Sequence, residues 1–76
     1  MTKAEFYAEL ESLLEMERGS IQGTDLLADL PRWDSLAVLA FIALADSKLH
    51  QLVSPAPLVA CKTVDDLVNL FPGKIT

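Results

Sequence analysis

The sequence predicts an all-α domain: a small antiparallel four-helix bundle of three long helices and one short one, with a long first connection. Apolar residues recur at helical spacing in three segments, Pro and Gly punctuate the intervals between them, and no stretch alternates with the period of a strand. With 76 residues, 51% of them apolar, the chain has room for one domain, residues 1–76, and enough apolar surface to offset its ordering entropy. A single core of this size supplies only about 3–5 kcal/mol, so nearly every apolar side chain has to serve it.

The first helix should span Thr2 to Arg18. Phe6, Leu10, Leu13 and Leu14 fall at i, i+4, i+7 and i+8, while Lys3, Glu5, Glu9, Glu11 and Glu15 lie mostly elsewhere around the wheel. Thr2 and Glu5 have the spacing of a capping box, and Gly19 stands where a helix commonly stops. Gly19 to Trp33 reads as an ordered loop, pinned to the helices by Leu26, Leu27 and Leu30. The second helix should begin at Asp34 or Ser35, both good N-caps, and run to about His50. At about 100° per residue, Val38, Phe41, Ile42, Ala45 and Leu49 share a core face, and Leu36, Ala40, Ala43 and Ser47 share the opposite one. Ser54-Pro55-Ala56-Pro57 breaks the pattern, and Pro57 can open a short turn of helix through Ala60. Thr63 should cap the last helix, in which Val64, Leu67, Val68 and Phe71 recur up to Pro72-Gly73.

Eleven acidic residues against six basic ones, a net charge of -5, count against nucleic acid, whose affinity comes from Lys and Arg displacing counterions. A basic partner surface fits better. Cys61 is the only cysteine, so no internal disulfide can form, which suits a reducing cytoplasm. Glu5, Glu9 and Glu11 interrupt the segment where an export signal would be apolar. The longest apolar run, Leu36 to Ala45, is far short of the roughly 20 residues a membrane span needs. A soluble, cytoplasmic monomer is expected.

Catalytic chemistry finds little support. Ser35 and His50 are about 22 Å apart along one helix, too far for a nucleophile and its base. His50 and Cys61 have no second His or Cys to complete a zinc site. Asp65 and Asp66 are explained by the first turn of a helix, where negative charge offsets the macrodipole. Trp33-Asp34-Ser35-Leu36, between a long loop and a helix start, is the one feature that suggests chemistry. A serine there presents its hydroxyl beside unsatisfied N–H groups and the positive end of the helix dipole, which suits an attached phosphate. Taken by themselves the four residues are a weak signal, and Asp34 and Ser35 are better read as a plain helix cap.

Over almost its whole length the sequence resembles the acyl carrier protein family. An acidic first helix, a long loop, Asp34-Ser35-Leu36 opening the second helix, a Pro-containing third segment and Lys62-Thr63-Val64-Asp65-Asp66-Leu67 opening the last occur in the family's order and spacing. The resemblance implies that Ser35, flanked by Asp34 and Leu36, carries a 4'-phosphopantetheine taken from coenzyme A by a phosphopantetheinyl transferase. The thiol of that group holds acyl groups as thioesters, loaded by a ligase or acyltransferase and used by synthase enzymes, while the carrier itself is not an enzyme. Fatty acid, specialised lipid or polyketide biosynthesis is the implied setting.

Two departures bear on partners. Family members of fatty acid synthesis place several carboxylates on the second helix, whereas here only Asp34 and Asp46 are acidic between positions 34 and 50. The expected partner face is therefore largely apolar: Trp33, Leu36, Ala37, Ala40 and Ala43, with Asp46 at its end. The Gly that precedes the Asp in the family is absent as well. An aminoacyl or peptidyl carrier is an alternative, although Arg32-Trp33-Asp34 lacks the Gly-Gly step and His common there. A second alternative is an unmodified helical protein-interaction module. Phe6, Leu10, Phe41, Ile42, Val64, Leu67 and Val68 are candidates for the wall of a chain-sheltering cavity, or for an ordinary filled core.

Overall fold

A computed structural model describes all residues, 1–76. It contains four α-helices, α1 (Lys3–Leu13), α2 (Ser35–Leu49), α3 (Pro55–Ala60) and α4 (Val64–Val68), with a 3₁₀ turn at Leu27–Asp29 and no strand. α2 packs against both α1 and α3. The expected all-α class holds, but only two of the helices are long, and several boundaries move.

α1 starts as predicted, with Thr2 and Glu5 forming the capping box, and stops five residues before Arg18. Glu15 ends it: left-handed at φ +57, it lets the Met16 N–H donate to Glu11 O at 2.8 Å and its own N–H to Ser12 O at 3.2 Å, and beyond this reversal the Glu11 carboxylate accepts the Ile21 N–H at 3.0 Å. Glu11 is consequently buried, only 3% exposed, where wheel geometry had placed it on the polar side. An isolated N–H beside buried Ile21 requires an acceptor, and the carboxylate supplies one. Gly19, expected to end the helix, lies instead in the following turn with φ +84.

Gly19 to Trp33 is an ordered loop, as expected, and it is ordered by backbone pairing with the start of α4. Leu27 N–H donates to Lys62 O at 2.8 Å, Val64 N–H to Asp25 O at 3.1 Å and Asp65 N–H to Gly23 O at 2.9 Å. Gly23 is needed there because a Cβ would collide with the Asp65 carboxylate, which also accepts the Tyr7 hydroxyl at 3.0 Å. Leu27 and Leu30 pin the loop into the core, while Leu26 stays about half exposed.

α2 spans Ser35–Leu49, with Asp34 as N-cap and His50 in the left-handed conformation as C-cap. α3 begins at Pro55, two residues earlier than expected, because both prolines fit a first turn that needs no N–H donor. α4 has a capping box from Thr63 and Asp66 but lasts five residues. Beyond it the bonds tighten to i→i+3, Leu70 N–H to Leu67 O and Phe71 N–H to Val68 O, so Phe71 keeps its place in the core while the α-ladder ends.

Phe6, Phe41 and Phe71, all fully buried, form the centre of the core, with ring centroids 5.9, 6.0 and 6.4 Å apart. Trp33 stands 6.1 Å from Phe41 at 71°, an edge-to-face contact. The inward stripe of α2 is Ala37, Phe41, Ala45 and Leu49, while Val38 and Ile42 are only partly buried. No helix is long and apolar enough to cross a membrane.

Candidate functional site

Ser35 is the first residue of α2 and is exposed. The turn that delivers it is tight. Trp33 N–H donates to Leu30 O at 3.5 Å across Pro31 and Arg32, and Arg32 has φ +66, the pattern of a type II turn with Pro second and a left-handed residue third. Asp34 N–H then donates to Arg32 O at 2.9 Å, and Asp34 Oδ1 accepts the Ala37 N–H at 3.1 Å, capping the helix. Asp34, Ser35 and Leu36 are all exposed, Leu36 at 76%.

Beside Ser35 an open apolar groove of about 610 Å³ runs between α2 and α3. Its lining comes from the start of α2 and the residues before it (Trp33, Asp34, Ser35, Val38, Leu39), from Leu27 and Ala28 of the 3₁₀ turn, and from Pro55, Leu58, Val59 and Cys61 in and just after α3. Of the two roles open to them from the sequence, cavity wall or filled core, Phe6, Leu10, Phe41, Val64, Leu67 and Val68 take the second: they are buried, and Ile42 packs against them. The groove was not foreseen because its far wall depends on where α3 lies. Only the apolar pair Leu58-Val59 behind Pro57 signalled it.

Of the expected partner face, Leu36, Ala40, Ala43 and Asp46 are exposed and Trp33 is half-buried. Ala37 does not belong to it. At 7% exposure it faces the core, because an i, i+4, i+8 stripe through Phe41 and Ala45 includes it. Leu13, Arg32, Asp34, Leu36, Ala37 and Ala40 border a second recess of about 350 Å³ on that side of α2.

His50 sits at the opposite end of α2 from Ser35. The Cys61 thiol donates to Pro57 O at 3.2 Å; burial, with the Asp66 carboxylate in support, pushes it above the ordinary thiol range. Asp65 and Asp66 occupy the first turn of α4, as expected, and no group of three or more His, Cys, Asp or Glu side chains is placed to hold a metal ion. No protein-family model matches the chain, and neither the curated proteins nor the solved structures contain a match.

Proposed function

We propose that the chain is an acyl carrier protein, modified on Ser35 with 4'-phosphopantetheine from coenzyme A. The observation that carries this is an exposed serine at the first turn of a 15-residue helix, in the lining of an apolar groove. The residues fit such a group. Ser35 offers the oxygen for a phosphodiester, the free N–H groups of the α2 N-terminus favour the negative charge, and Asp34 keeps the turn in place by capping it. When attached, the group supplies a thiol that holds acyl groups as thioesters. Trp33, Val38, Leu39, Leu58 and Val59 give an apolar cargo a surface to lie against, which favours acyl over aminoacyl or peptidyl cargo.

In this role the chain catalyses nothing itself and serves a phosphopantetheinyl transferase, a loading ligase or acyltransferase, and the synthase enzymes of a fatty acid, specialised lipid or polyketide pathway. It would act as a cytoplasmic monomer, with its helices as an antiparallel bundle. Partners would meet it on Trp33, Leu36, Ala40, Ala43 and Asp46. The test is intact mass after incubation with coenzyme A and a broad-specificity phosphopantetheinyl transferase, with Ser35→Ala as control. A gain of one phosphopantetheine in the unmutated chain alone is expected. No gain in either would leave Asp34-Ser35 as a helix cap in an unmodified interaction module.

A further inference from the structure

We infer that the Glu15–Arg32 ion pair is a positioning latch for the turn that presents Ser35. Arg32 occupies the third position of the Leu30–Trp33 turn with φ +66, where glycine or asparagine is preferred and other L-residues meet a steric cost of about 1–2 kcal/mol. Glu15, just past the Leu14 C-cap of α1, is left-handed too, with φ +57. These two costly backbone positions are joined through their side chains: Arg32 Nη1 lies 2.6 Å from Glu15 Oε2.

Stability alone does not account for an arginine here. Both side chains are about two-thirds exposed, and exposed pairs contribute only about 0.2–1 kcal/mol, less than the backbone cost at position 32. What the pair does is connect. It ties the end of α1 to the residue three before Ser35, and the Arg32 carbonyl in turn accepts the Asp34 N–H. Pro31, Arg32, Asp34 and Ser35 are all exposed; the buried Leu30, the half-buried Trp33, the Asp34 cap and the backbone bonds of the turn hold it from the α2 side, and the Arg32–Glu15 pair is what joins it to the end of α1. Arg32 is thus a positioning residue acting through the turn, and because the pair faces solvent, salt loosens it.

The importance of the latch for modification rests on Ser35 being the modified residue; its existence does not. Amide hydrogen exchange of the full, unmodified chain at low salt reads it directly at the Trp33 and Asp34 N–H groups. Glu15→Gln and Arg32→Gln should each raise exchange there about two- to fivefold, the range an exposed pair allows, and leave the Phe41 and Leu67 amides unchanged. The charge-reversed double variant, Glu15→Arg with Arg32→Glu, should restore protection, and added salt should bring the unmutated chain to the level of the single variants. Single variants that exchange like the unmutated chain, or a reversal that fails to restore protection, would overturn the latch. With the transferase, kcat/KM should fall in the single variants and recover in the reversal, by the same about two- to fivefold. An unchanged kcat/KM would refute the presenting role. A chain that gains no mass at all fails the Ser35 assignment, while the exchange result still decides the latch.

Discussion

Asp66 accepts the N–H groups of Lys62 and Thr63, and Glu5 accepts that of Thr2, so hydrogen bonds to the charged form hold both carboxyls below their ordinary range. A carboxyl lowered on folding contributes stability above its unfolded value, near pH 4, and loses it as pH falls through the lowered folded value. Acid should therefore loosen the starts of α1 and α4. Asp66→Asn is expected to lower stability at pH 7 and to flatten its decline as pH falls below about 4, as read by urea unfolding at stepped pH. Tyr7 titrates in the opposite sense: burial first, then its bond to Asp65, raises its phenol. The Tyr7 contribution is full below about pH 10 and is lost as pH rises through the raised value. Tyr7→Phe should cost about 1 kcal/mol at neutral pH, and less in strong alkali.

At the scale of the element, α2 separates a core face from an open one with a single-residue resolution. Ala37 is buried and Ala40, three positions on, is exposed. Ala40→Glu should change stability by no more than about 0.5 kcal/mol, whereas Ala37→Glu, which forces a charge against the core, should cost about 3 kcal/mol or more. Thermal melts of the two variants measure the difference. Between Asp34 and Asp46 the helix carries no charge, so docking there would rest on apolar contact and vary little with salt. With a pathway enzyme in hand, Ala40→Glu should slow acyl transfer without altering the melt; transfer at the unmutated rate would remove this face from the partner surface.

For the whole molecule the decisive fact is how few side chains hold it. Sixteen buried apolar residues form one cluster, in which Phe41 touches Phe6 and Phe71, and the half-buried Trp33 packs on Phe41 from outside it. Truncation of such a ring costs about 3–5 kcal/mol, comparable with all that a core of this size supplies. Phe41→Ala should therefore show no cooperative urea transition by circular dichroism, while Phe41→Leu should keep one at a lower midpoint. Since Trp33 lies against Phe41 and lines the groove, Phe41→Leu should also shift the emission of this sole tryptophan.

Local chemistry sufficed for much of this. Thr2, Asp34 and Thr63 cap α1, α2 and α4 where side-chain oxygens precede apolar periodicity, and Asp34-Ser35-Leu36 opens α2 as its pattern predicts. Capping and helical spacing act within four residues, so they are legible along the chain. Contacts between distant segments are not. Glu11 turned inward to serve Ile21, ten residues on; Ala37 entered the core because α2 is rotated to seat Phe41; α4 shortened while Phe71 still reached the interior. The groove beside Ser35 exists only where α3 packs against α2, and the Glu15–Arg32 pair only where α1 ends beside the loop. Each depends on which buried N–H needs an acceptor and which apolar surface finds a facing partner, and three-dimensional packing alone settles that.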